Sequence, residues 1–372
     1  MRTLLLLAVA LASVLSSPAS SAATEGRGAK TRIAIVSSYH REYLWSQDTN
    51  RGVVAALLEH GYLDDPSQVE AFTRDDAVES STAILVKLWM DTKRRNGRPQ
   101  IARSLARVVA ELDAFAPDIL LLGDDNAVNH VGNQYVDTDL DVVFWGVDGS
   151  PLRYDLIDSM ERPGHNVTGV YQKGYIREGI ESLLELFPLV RRVAVLSDAS
   201  ATARPKLKEL KRLARRGELP VELVASVVTD SYEAWQEGVE SLADEVDAFV
   251  VLNHNTLKRE SGDVVDPLEA AGWYLRHSAK PEVSPERQYV VEGMLAAVDD
   301  SGYKQGYEAV EIAHRILAGG ERPASIPVRA PSRGAFVVNL ERAAMLGVEA
   351  RVASDPRVGE RVDTALALRD FR

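Results

Sequence analysis

Short apolar runs alternate with helical patterns in two successive series along this chain, with a restart near Asn166, and the run 193–196 ends in Ser197-Asp198 before the next helical pattern. In the first series the runs 33–36, 69–72, 118–122 and 142–145 read as strands, and 47–60, 80–93 and 101–115 as helices. In the second, strands are expected at 166–170, 192–196, 221–228 and 247–252, with helices at 176–187, 203–215 and 231–243. Runs such as Ile119-Leu120-Leu121-Leu122 are apolar throughout rather than alternating. That suits parallel strands covered by helices on both faces. Two such series exceed one ordinary core, so the expected fold class is α/β, with two doubly wound, Rossmann-like lobes. Beyond them lie a strand region at 290–298, a helix at 303–317 closed by Gly319-Gly320, an extended crossover at 323–331, a short strand at 335–339 and a short helix at 340–346.

The N-terminus reads as an address. Met1-Arg2 precedes an apolar run from Leu4 to Leu15, then small residues with a Ser-x-Ala cleavage option after Ala22. The run is shorter than the roughly 20 residues needed to span a bilayer, so residues 1–22 are expected to be a cleaved signal peptide and 23–31 a flexible leader. There is no cysteine. Neither a lipid-attachment cysteine nor a disulfide is therefore expected, and the product is expected to be soluble in the periplasm. The formal net charge is -12, and the signal would remove only Arg2. So acidic a chain is not expected to bind nucleic acid, whose phosphates need a basic surface.

Five blocks occur in an order that resembles the substrate-binding proteins of ABC transporters, in the branch with tryptophan- and tyrosine-binding members. They are the opening strand, loop and helix through Gly52; Asp118-Ile119-Leu120-Leu121-Leu122-Gly123; Val142 to Asp148 followed by Pro163-Gly164-His165-Asn166-Val167-Thr168-Gly169-Val170; Phe187-Pro188 through Asp198; and Gly306 to Pro327 followed by Ala335 to Gly347. The resemblance covers about residues 32–350. It implies a type I periplasmic-binding fold, with two lobes joined by a three-segment hinge and a ligand in the cleft. The implied crossings lie near 162–166, 293–299 and 322–328. Lobe 1 would comprise 32–162 plus 299–322, lobe 2 166–293 plus 328–350, and 351–372 would be a C-terminal tail. The sequence departs from the transporter pattern at Asp124-Asp125-Asn126-Ala127 and in the first loop, from Ser37 to Trp45. Both stretches look like relatives that act as sensor modules of signalling proteins.

In open α/β sheets ligands bind beyond the carboxyl ends of the strands. That rule selects Ser38, Tyr39 and His40, then Asp124, Asp125 and Asn126, then Asp148; from the second series it selects Tyr171, Gln172, Asp198, Asn253 and His254, with Asp299 near a crossing. Ser, Asp and Asn are also favoured there as turn and cap residues, and Asp124 or Asp125 is equally placed to cap the next helix. Tyr39, Tyr43 and Trp45 bring three aromatics into one loop. They suit stacking on a planar ligand or facing a cation, and Trp45 suits packing on its own helix equally well. The carboxylates favour an amine- or hydroxyl-bearing ligand over an anion; an amino-acid-like ligand is what the resemblance implies. The Lys- and Arg-rich stretch 204–216 reads as a solvent-facing amphipathic helix.

His-Glu-x-x-His, Gly-x-Ser-x-Gly and P-loop patterns are absent, and no two of the seven histidines have helical ligand spacing. No catalytic residue, cofactor or metal is therefore expected. The leading expectation is a periplasmic solute-binding protein whose closed form is detected by an ABC permease. The alternative is an extracytoplasmic ligand sensor that acts on a membrane histidine kinase or cyclase.

Overall fold

A computed structural model describes residues 30–369; the expected signal peptide and nearly all of the leader lie outside them. The first lobe is built on a six-stranded sheet in the order β2-β3-β1-β4-β5-β6. Its strands are β1 (Thr31–Ser37), β2 (Ala77–Glu79), β3 (Ala83–Trp89), β4 (Ile119–Gly123), β5 (Asp141–Asp148) and β6 (Val167–Gln172). All pairs are parallel except β2 with β3. The second lobe carries seven strands in the order β13-β12-β11-β10-β9-β7-β8. They are β7 (Arg192–Ser197), β8 (Glu222–Val228), β9 (Ala248–Asn253), β10 (Glu282–Ser284), β11 (Ala296–Val298), β12 (Phe336–Asn339) and β13 (Val358–Val362).

Five expectations are corrected. The region 290–298 is not one strand: 290–292 close helix Arg287–Glu292, and only Ala296–Val298 is a strand, held inside the second sheet, so the second crossing follows Val298 rather than spanning 293–299. The run 69–72 is not a strand but part of helix Pro66–Asp75. Asp65 caps that helix by accepting from the Ser67 and Gln68 amides, and Pro66 fits its first turn, where the missing N–H costs nothing. The stretch 80–93 is not a helix: β3 occupies it, with Ala83, Leu85 and Lys87 buried in alternation, the two-residue period of a strand. The strand after Asn166 does not open the second lobe. β6 extends the first sheet, Val142 pairing with Val167 and Asp148 with Gln172, so the first crossing follows Gln172. Finally, 351–372 is not simply a tail, because β13 within it pairs with β12 and forms the edge of the second sheet.

The chain returns to the first lobe late. Helix Gly302–Leu317 packs against helix Leu44–Glu59, and Ala309, Ile312, Ala313 and Ile316 share a core with Val53, Leu57, Ile33 and Ile35. The two helices cross on glycines. A Cβ on Gly52 would lie 1.9 Å from the Tyr303 carbonyl oxygen, and one on Gly306 2.2 Å from that of Thr49. At the hinge, Asp300 accepts from the Gly174 amide at 2.7 Å, joining the first crossing to the second. Asp299 accepts from the Arg287 amide at 2.9 Å.

Candidate binding cleft between the lobes

The strand ends of both sheets meet at a cleft. Tyr39, Tyr43 and Trp45 come from the loop after β1 and the helix it enters, Lys93 from beyond β3, Asp124 from the end of β4, and Gly146 and Asp148 from β5. Across the cleft stand Thr202, Lys206, Asn253, Glu286 and Tyr289, with Gln172 at the hinge. The lobes are closed on each other, leaving a space of about 10 Å³.

The closing contacts are polar. Tyr43 Oη accepts from Asn255 Nδ2 at 2.7 Å and from Gln288 Nε2 at 2.9 Å, both on the opposite lobe. Lys206 Nζ lies 2.7 Å from Asp148 Oδ1, an ion pair between lobes, and also bonds Glu286. One ammonium thus serves two buried carboxylates. Burial pushes Asp148 up to about 6, against the pull of Lys206, and burial also raises Glu286. Burial draws Lys206 down, but Asp148 and Glu286 more than offset this and hold it above the ordinary lysine range. A protonated lysine between two carboxylates that resist joint ionisation accounts for all three directions.

Lys93 is the second cation. Its Nζ lies 4.4 Å from the centre of the Tyr39 ring and 5.1 Å from that of Tyr43, within cation–π range, and burial lowers its pKa. Asp124 occupies the left-handed region at φ 68° and accepts from Trp45 Nε1 at 2.7 Å. Gly146, at φ +70°, makes room for it; a Cβ there would fall 2.4 Å from Asp124 Oδ1. Burial pushes the Asp124 carboxyl well above the usual range.

Of the residues expected at the site, Tyr39, Trp45, Asp124, Asp148, Gln172 and Asn253 line this space. The others stand apart from it. Ser38 donates to the Gly123 carbonyl and accepts from the Ala127 amide, tying β1 to the segment after β4. Asp125 is held inside the first lobe by Tyr154 and Arg153. Asn126 donates to Thr92 at 2.9 Å at a side opening. His40 lies 3.4 Å from Asp91, and Tyr171 is on the edge strand β6. Asp198 is taken up by Ser200 and the Thr256 amide, and Asp299 sits by the hinge. His254 is buried 2.9 Å from Glu292.

Sequence reasoning missed Lys93, Thr202, Lys206, Glu286 and Tyr289 as site residues. Lys93 follows β3, which reads as a helix. Lys206 corrects the solvent-facing reading of 204–216: helix Ala203–Arg215 turns Leu210 and Leu213 into the lobe and Lys206 into the cleft. The expectation built on carboxylates alone changes with it, since the walls carry charges of both signs.

Two α/β sheets facing a shared aromatic and charged cleft define a two-lobed ligand-binding protein of the type I periplasmic-binding fold. The chain belongs to the family described as ABC transporter substrate binding protein, whose model matches residues 105–353. This is a family of binding proteins and not of enzymes. A tyrosine-binding protein of Clostridioides difficile (strain R20291) is 24% identical over 190 residues, which cover 51% of this chain and 52% of that protein. The match thus spans about half the length of that relative. Among solved structures, an ABC domain in complex with L-Trp from Streptococcus pneumonia has a TM-score of 0.68 at 20% identity, covering 90% of this chain and 100% of the other. A ligand-free, open substrate-binding protein with adhesive properties from Clostridium difficile has a TM-score of 0.63 at 19% identity, with 90% and 100% covered.

Proposed function

We propose that this chain is the periplasmic receptor of an ABC import system and that it captures an amino-acid-like ligand with a flat side chain. The observation that carries the reading is the composition of the cleft wall: Tyr39, Tyr43, Trp45 and Tyr289 around buried groups of both signs, Lys93 and Lys206 against Asp124, Asp148 and Glu286. Aromatic walls offer a planar ligand stacking area, and paired opposite charges suit an ammonium and a carboxylate on one molecule. The L-Trp and tyrosine named for two relatives fit that description. An ammonium against Asp124 would favour the ionised carboxylate and recover the pairing that burial opposes.

Binding then works by selection. A ligand that contacts both walls favours lobes drawn together around it, parted only enough to admit it, over the open arrangement, and that difference shifts the population toward the form a permease engages. Calorimetric titration with the proteinogenic amino acids tests the reading. An aromatic amino acid is expected to bind saturably, and Asp124→Asn to weaken it by about ten- to a hundredfold, the scale of a charge-assisted hydrogen bond. Absence of binding by any of them at millimolar concentration would overturn it.

A further inference from the structure

We infer that the protein carries a second ligand site, a basic vestibule beside the cleft that takes a small polyanion. Where the cleft opens past Asp148 and Gln172, the surface sinks into a cavity of ≈ 660 Å³, within the range of small-molecule sites. Arg153 reaches it from the first lobe and Lys173 from the first crossing; Arg204, Lys208, Arg212 and Arg215 line it from one helix of the second lobe. Lys206 stands at its inner end, and Asp148 and Glu209 are the carboxylates that line it. Concentrating cations this way runs against a chain whose formal net charge is -12.

Most of that charge is not spent inside the protein. Arg153 pairs with Asp125, Lys206 with Asp148 and Glu286, and Arg212 with Glu209 and Glu218. Among the described residues, Lys173, Arg204, Lys208 and Arg215 make no ion pair with a carboxylate. Four cations around one concavity repel each other, and an anion that enters relieves that repulsion and gains charge-assisted hydrogen bonds. The two walls belong to different lobes and meet at Gly149, where a Cβ would lie 3.3 Å from Pro205. A polyanion there touches both lobes and so favours closure independently of any cleft ligand. The ligand class is a compact molecule with two or more negative groups, either carboxylates or phosphates.

The test uses the whole exported protein without cleft ligand. Citrate and inorganic pyrophosphate are titrated calorimetrically at matched ionic strength, with sodium chloride as the reference. Saturable one-to-one binding is expected, and binding by citrate alone, pyrophosphate alone or both assigns carboxylate, phosphate or charge density as the determinant. The variant Arg204→Gln/Lys208→Gln/Arg215→Gln should weaken binding at least tenfold and keep the wild-type circular dichroism spectrum, since all three residues are exposed. A control variant, Arg98→Gln/Arg103→Gln/Arg322→Gln, removes three exposed arginines that do not line the vestibule. Equal weakening in both variants, or no saturable binding of either anion at millimolar concentration, overturns the proposal.

Discussion

Replacing Lys206 with Met should unlatch the lobes. At 2.7 Å and an effective dielectric constant of about 20, the Lys206–Asp148 attraction is roughly 6 kcal/mol before desolvation is counted. Desolvation of both groups offsets much of this, and removing one partner of a buried pair has a typical cost of about 3–5 kcal/mol. That cost falls on the closed arrangement, because opening returns Asp148 and Glu286 to water. A closed-to-open ratio should therefore fall by about a hundredfold or more. Small-angle scattering at pH 7.5 should give a larger radius of gyration for Lys206→Met than for the wild type, with unchanged far-ultraviolet dichroism. Lowering the pH should bring the variant back toward the compact form, since protonation removes the uncompensated charges, and Asp148→Asn added to Lys206→Met should do so at pH 7.5. A variant as compact as the wild type at pH 7.5 would refute the reasoning.

Two further outcomes concern stability. Burial pushes Asp299 up to about 7 and Asp300 up to about 6. Raised carboxyl values mean a stabilising contribution that is complete below about pH 4 and lost as pH rises through 6 to 7. Wild-type melting temperature should therefore fall between pH 5 and 8 relative to Asp299→Asn, which keeps an acceptor for the Arg287 amide; parallel curves would exclude Asp299 as the cause. In the second lobe, Glu282 and Arg342 form a fully buried pair at 3.0 Å. Glu282→Ala should lower the unfolding free energy in urea by about 3–5 kcal/mol, and a loss under 1 kcal/mol would show that the Ser278 and Lys280 carbonyls satisfy Arg342 without it.

The strands most directly legible in the sequence are those whose neighbours on both faces are apolar. Ile119–Gly123 and Ala248–Asn253 are buried at every position, and an unbroken apolar run reports that condition directly. β3 was hidden because Lys87 is buried within it, its Nζ donating to Asn50 and lying 4.2 Å from the Phe72 ring centre, so the strand does not present a clean apolar face. β10 has three residues and includes the buried Glu282, which leaves no periodicity to find. The cleft suffered in consequence, since Lys93 and Glu286 are defined as site residues only by the strands they follow. Asp124 and Asp148 could be found because β4 and β5 were legible. Membership of a lobe is a further matter: β6 is as apolar as a second-lobe strand would be, and only its pairing with β5 decides where it belongs.

The glycine-mediated crossing of helices Leu44–Glu59 and Gly302–Leu317 has a consequence for how the protein is made. The apolar face formed by Val53, Leu57 and Ile33 has its cover some 250 positions further along the chain. A nascent polypeptide that has emerged only as far as Gln172 holds every strand of the first sheet but not the helix that seals it. Such an intermediate leaves sticky surface open until most of the second lobe has also been synthesised. The late-arriving helix thus delays completion of the first lobe and leaves the half-made chain prone to association until that helix has been synthesised.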